Sequence, residues 1–142
     1  MRVALALLLG LAVVGCGGDD GPRPLTKAAY EQRAGAILRE LPGRDDPFTP
    51  GTLDDETQAA ADALAALEPP PEIRDQHLLL VDGLAGLAED LRAAATAMNE
   101  GSAEFQAALE RVAASPGGEQ AEEALRRLNA RGYRLPPVFG AG

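Results

Sequence analysis

Only a few side chains in this sequence could carry chemistry. One thiol, Cys16, and one imidazole, His77, occur in 142 residues, so neither an intramolecular disulfide nor a zinc site of converging Cys and His ligands can be built. A lone thiol is still a nucleophile that can be alkylated. A lone imidazole is a base or a ligand only if partners come to it. Carboxylate-bridged metal bundles place Glu-x-x-His on facing helices, but the residue three before His77 is Arg74. His77 is therefore expected to be a buried structural histidine bonded to a carboxylate or carbonyl, with ligand contact as the sharper alternative. Asp54, Asp55 and Glu56 lack the alternating oxygen ladder and terminal Glu of a calcium loop, and read instead as the acidic first turn of a helix. Arg127, Arg131 and Arg134 form a positive strip that suits either a helix C-terminus or an anionic partner. No Gly-rich phosphate loop, Gly-x-Ser-x-Gly or His-Glu-x-x-His is present. No carboxylate is isolated in an apolar run that would raise its pKa toward general-acid use. Neither a catalytic residue nor a metal or cofactor is expected.

Cys16 has a context. Met1 and Arg2 open the chain, Val3 to Val14 is an unbroken run of Val, Ala, Leu and Gly, and Gly15-Cys16-Gly17-Gly18-Asp19-Asp20 turns polar at once. This is the layout of a secretory leader, too short for the roughly 20 apolar residues of a membrane-spanning helix. Val13-Val14-Gly15-Cys16 resembles the bacterial lipobox, in which the thiol receives a diacylglyceryl group and becomes the first residue after cleavage. The segments expected are therefore a leader over 1–15, a lipidated Cys16 with a tether to residue 25, a helical domain over 26–139 and a short tail over 140–142. Two or more acyl chains hold a protein on a bilayer where one does not. The place expected is the extracytoplasmic face of a cell membrane, with the bilayer as the first partner and an envelope component as the second. Nine residues, Gly17 to Leu25, reach about 30 Å at full extension.

The body must be helical. Apolar residues are mostly Ala and Leu, aromatics are 4% and Trp is absent, a balance for helices packed through small side chains rather than for a sheet. The formal charge of -9, from 13 Lys+Arg and 22 Asp+Glu, argues against nucleic acid, which needs concentrated positive charge. Ile73, His77, Leu80, Leu84, Leu87, Leu91, Ala94 and Met98 alternate steps of four and three, one apolar seam on a helix over 71–99. A helix of that length can back two shorter ones laid end to end. Before it, Thr26 caps a first helix whose face is Tyr30, Ala34, Ile37, Leu38 and Leu41, with Leu25 and Tyr30 as a staple. Pro42 to Gly51 is a loop in which Phe48 is expected to plug the core edge. Thr52 and Asp55 form a capping box for a second helix with Leu53, Thr57, Ala60, Leu64 and Leu67 inward. After the seam helix, Ser102 caps a fourth, with Phe105, Ala108, Leu109 and Val112 inward. Ser115 to Gly118 breaks it. A fifth, with Ala121, Ala124, Leu125 and Leu128 inward, ends at Gly132. Glu122 is expected to face Arg126, and Glu123 to face Arg127. Gly83 and Gly86 mark either a close helix crossing or a weak point. The fold expected is an all-α antiparallel bundle of four or five helices around 71–99, and a monomer, since no second apolar stripe is free.

Leu25-Thr26-Lys27-Ala28-Ala29-Tyr30 and the following Ala34-Gly35-Ala36-Ile37-Leu38 resemble the first helix of a group of small bacterial lipoproteins of actinobacterial type. Their mature part begins with Leu, Ser or Thr, Lys, two variable residues and an aromatic, and continues Ala-Asn-Ala-Ile-Cys. A Pro-Pro turn then leads to a long helix, and the end is Leu-Pro-x-Cys or similar. The resemblance implies a lipid-anchored helical domain and no particular activity. The chain itself reads as either a structural or interaction module of the envelope or a solute-binding bundle with an apolar cavity near His77. It also implies a pairing of the group's two cysteines, which fall here on Leu38 and Phe139. Leu38 and Phe139 are accordingly expected to touch, with Tyr133 to Phe139 folded over the first helix.

Overall fold

In the computed structural model, residues 23–42 and 51–138 are described. They form five α-helices and no strand: α1 (Lys27–Arg39), α2 (Leu53–Ala65), α3 (Arg74–Met98), α4 (Ser102–Ala113) and α5 (Pro116–Ala130), with a 3₁₀ turn at Pro71–Ile73 leading into α3. Cys16, Phe48 and Phe139 lie outside the described residues, and with them the lipidation, the core plug and the Leu38 contact. The expected all-α antiparallel bundle is what forms.

The seam organises it. Ile73, His77, Leu80, Leu84, Leu87, Leu91 and Ala94 are all buried, and α2, α4 and α5 all pack on α3. α3 is about 38 Å long at 1.5 Å per residue, and α5 and α4 lie end to end along it. Met98 breaks the expected pattern: it is 45% exposed, and Ala97 is buried instead. Drift of the stripe is not the cause, since at 100° per residue Met98 returns to within about 20° of Ile73. In the last turns α4 covers the side of Ala94 and Ala97, which cluster with Ala108, and leaves Met98 uncovered.

Each short helix has a local reason for its limits. The Thr26 hydroxyl accepts a hydrogen bond from the Ala29 N–H at 3.3 Å and starts α1 as expected. Thr52 does not cap: its backbone is already helical and its side chain makes no cap bond. The capping box is therefore absent, and the α2 N-terminus relies on Asp54, Asp55 and Glu56 beside the helix dipole. Ser102 likewise sits inside α4, with Gly101 in the cap position. The break before α5 is shorter than expected. Ser115 caps at once, Pro116 takes the first position, and Gly117 and Gly118 are helical.

Ser115 is more than a cap. Its hydroxyl accepts from the Gly118 N–H at 3.2 Å and donates to the Asp90 carboxylate at 2.5 Å, tying the start of α5 to α3. Ser115 is buried and Asp90 half-buried. Ser115→Ala should lower stability by about 1–2 kcal/mol in urea denaturation, and a loss no larger than that of an exposed Ser→Ala would show that the tie to Asp90 contributes nothing.

The glycines on α3 resolve as a crossing. A Cβ on Gly83 would stand 2.6 Å from the Ala121 backbone nitrogen, and one on Gly117 would stand 2.6 Å from that of Leu87. α3 and α5 therefore meet backbone to backbone, which only residues without side chains allow. The main core runs through Tyr30, Leu38, Leu64, Ile73, Leu80, Leu84, Leu87 and Leu128, while Ala94, Ala97 and Ala108 make a small separate cluster under α4.

Candidate functional site

α5 ends in a Schellman turn. Gly132 has φ +82°, the Gly132 N–H donates to the Asn129 carbonyl at 2.9 Å, and the Tyr133 N–H donates to the Leu128 carbonyl at 3.1 Å. The left-handed backbone at Gly132 reverses the chain and sends the next residue back onto the bundle. Tyr133 thus packs edge-on against Tyr30, with ring centroids 5.8 Å apart, and Tyr30 packs edge-on against His77 at 5.6 Å. The start of α1, the end of α2, the start of α3 and the end of α5 meet at this end of the bundle. The Leu25 N–H donates to the Glu68 carbonyl at 2.8 Å, so the chain joins the body here.

The tail is tied as it leaves. The Tyr133 hydroxyl donates to the Glu72 carboxylate at 3.1 Å, the Arg134 N–H donates to the Glu31 carboxylate at 3.1 Å, and the Asn129 amide both donates to and accepts from the Leu135 backbone. Leu135 and Val138 are buried. The expectation that the tail folds over the first helix therefore holds for Tyr133 and Arg134, which meet Tyr30, Lys27 and Glu31 of α1.

His77 is 2% exposed. Its Nδ1 lies 3.0 Å from the Tyr30 hydroxyl, and the ring also makes a backbone hydrogen bond at Leu64. Burial lowers its pKa below the ordinary value, and the Glu68 charge and the Leu64 bond oppose that less strongly. The imidazole is then neutral, with Nδ1 accepting from the phenol and the N–H of Nε2 left to donate to the backbone. Burial, and then Tyr133, raise the Tyr30 pKa. Burial, followed by the Glu72 carboxylate, pushes Tyr133 up to about 12. Both phenols stay protonated and donate. This geometry favours the structural role for His77, with both ring nitrogens occupied inside the protein.

The three arginines do not form a simple row. Arg127 pairs with Glu123 at 2.6 Å, and Arg126 reaches the same carboxylate rather than Glu122. The i,i+3 partner wins because one Glu123 side chain can serve both arginines. Arg131 donates to the Glu72 carbonyl of the 3₁₀ turn at 2.6 Å. Arg134 lies in the tail beside Glu31. The structure adds Lys27, whose ammonium stands 5.0 Å from the centre of the Tyr133 ring at a cation–π distance. A Gly-Tyr pair following a helix is the signal that could have revealed this arrangement.

At the opposite end, Asp54 is 5% exposed, with its carboxylate 3.5 Å from Arg92 and Oδ1 without a hydrogen-bond partner. The acidic triplet therefore faces two ways, with Asp54 inward and Asp55 and Glu56 in solvent. Among the described residues, no three His, Cys, Asp or Glu side chains converge as a metal site would require. A groove of about 450 Å³ runs between α1 and α2, lined by Ile37, Glu40, Leu41, Glu56, Ala59, Ala60 and Ala63. The groove does not include His77, against whose ring Tyr30 packs. Comparison with protein-family models, curated proteins and solved structures finds no match to this chain.

Proposed function

We propose that this chain is a lipid-anchored module on the extracytoplasmic face of a bacterial membrane, with a structural or interaction role in the cell envelope and no catalytic one. The observation that carries this reading is Cys16 at the end of an apolar leader, in Val13-Val14-Gly15-Cys16. It agrees with the fact that no described helix is long and apolar enough to cross a membrane. The likeness to small actinobacterial-type lipoproteins supports the same reading. Thioether-linked diacylglycerol on Cys16 supplies the two acyl chains that stable attachment needs.

Mass spectrometry of the N-terminal peptide from membranes should find residue 16 first in the chain and acylated. Cys16→Ser should abolish that modification and cut the acyl-dependent membrane fraction by at least about tenfold. An unmodified Cys16 with the leader still attached overturns the proposal. The groove between α1 and α2 favours a second reading, a carrier of a small apolar ligand, because its volume is in the range of ligand sites at roughly 300–1,000 Å³. Glu40 and Glu56 at its edge count against an anionic ligand there.

A further inference from the structure

The groove between α1 and α2 pairs an apolar floor with negative charge that nothing nearby neutralises. The two helices run antiparallel, since Tyr30 at the start of α1 and Leu64 at the end of α2 both meet His77. The groove therefore opens where α1 ends and α2 begins, away from the end at which Leu25 joins the body. Leu41 and Ala60 form its buried floor, and Ile37, Ala59 and Ala63 its walls. Glu40 and Glu56 stand exposed at its edge, and no described cation lines it. Neither carboxylate has an ion-pair or side-chain hydrogen-bond partner among the described residues. The cations on the same two helices and on α3 are directed elsewhere. The Arg39 guanidinium lies over Gly35, two residues and so more than half a turn from Ile37. Arg92 is held by Asp54, the same angle around α2 from Glu56. Arg33 precedes Glu40 by seven residues, about 10 Å along the helix and beyond a Debye length of about 8 Å. Residues 43–50, which join the helices, contain one Arg and two Asp.

We propose that this groove binds a small amphiphile with a protonated amine, its ammonium between Glu40 and Glu56 and its hydrocarbon chain along the apolar floor. The inference deepens the carrier reading by naming the ligand class, and it is independent of the anchor at Cys16. Hydrogen bonds from an ammonium to carboxylates are charge-assisted, and two acceptors at one edge fix which end of the chain lies there. The helix ends act in the same direction. α1 stops at Arg39 with Glu40 as its cap, so the carbonyls of its last turn carry partial negative charge toward the groove. The opposite partial charge at the start of α2 is met by Asp54, Asp55 and Glu56. From Glu56 to Ala63 the groove follows α2 for about 10 Å, some two turns where an average helix has three to four. That length suits a single hydrocarbon chain rather than a docked helix.

The test uses the full chain and dodecylamine bearing a diazirine on its alkyl chain, below the concentration at which the amine forms micelles. Irradiation crosslinks the probe where it lies, and mass spectrometry of the peptides separates the groove from the apolar leader. The amine probe should label the peptides holding Ile37 to Leu41 and Ala59 to Ala63. It should do so at least about threefold more than the same probe with a hydroxyl in place of the amine, the scale of exposed ion pairs. Glu40→Gln combined with Glu56→Gln changes only exposed side chains and should remove that advantage. Ala63→Phe fills the groove from an exposed position and should suppress labelling by both probes. Equal labelling of the groove by amine and hydroxyl overturns the inference and leaves a carrier of apolar ligands standing. Labelling confined to residues outside the groove overturns both. Displacement by a lysine-bearing amphipathic peptide, but not by excess dodecylamine, would place a protein segment there and overturn the inference as well. Cys16 and the leader are the same in every sample, so none of these outcomes bears on acylation.

Discussion

Gly83→Ala and Gly117→Ala should each destabilise the bundle by about 1–3 kcal/mol, the usual cost of forcing extra volume into a packed interface, even though alanine is the better helix former. In an open helix the same change would stabilise by roughly 0.5–1 kcal/mol. The sign therefore decides between a crossing and a weak point. An added Cβ at Gly83 meets the Ala121 nitrogen at 2.6 Å and the Gly117 oxygen at 2.8 Å; at Gly117 it meets the Leu87 nitrogen at 2.6 Å and the Gly83 oxygen at 2.7 Å. All of these are backbone atoms, so no side chain can rotate away and the helices must separate. Separation also loosens Leu87, Ala121 and Ala124, which share the interface core.

Neighbouring glycines supply the comparison. A Cβ on Gly86 comes no closer than 3.4 Å to Gly117, one on Gly118 no closer than 3.7 Å to Leu87, and one on Gly35 meets only the mobile end of Arg39 at 3.3 Å. Alanine at these three should be neutral or stabilising. In thermal melts the Gly83 and Gly117 variants should fall by roughly 5–15 °C while the other three do not. A rise in midpoint for Gly83→Ala would mean that α3 and α5 do not touch there.

The sequence showed the bundle because burial imposes a period, and the seam from Ile73 to Ala94 is long enough for that period to be unambiguous. What it concealed was decided by contacts between segments distant in the chain. Met98 was misplaced because α4, a distant segment, covers the last turn from the side of Ala94 and Ala97 rather than along the seam. Thr52 and Ser102 have the residue types of caps, but the chain enters α2 already helical and places Gly101 before α4. Gly117 suggested a break because its role, to admit α3, lies far back in the sequence. Asp54 looked like its acidic neighbours until α3 brought Arg92 against it. For the candidate site, Arg131 and Arg134 were visible as charges, but their common end with Lys27 depends on the reversal at Gly132. His77 was legible as a structural residue from the absence of any second ligand, whereas its partner Tyr30, 47 positions away, was not.

Tyr30→Ala should be among the most damaging single changes, at about 3–5 kcal/mol, because the ring is fully buried and meets His77 and Tyr133 by its edges. Tyr30→Phe keeps the ring and isolates the hydrogen bond. It leaves the buried Nδ1 of His77 without a donor, which costs about 1–3 kcal/mol. The same imidazole makes stability depend on pH. An unfolded histidine titrates near 6.5, and burial in the folded state lowers that value, so unfolding takes up a proton between the two. Stability is then fully present above about pH 6.5 and falls as the pH drops through the folded pKa. Between about pH 6.5 and 5 most carboxylates are still ionised, and the decline there belongs chiefly to His77. His77→Gln should flatten that part of the stability profile in urea melts while lowering the plateau above it, since a glutamine cannot fill the space between Tyr30 and Leu64. If the variant and the parent decline in parallel from pH 6.5 to 5, His77 is not the group that takes up the proton, and the packing of Tyr30 against a neutral imidazole is wrong.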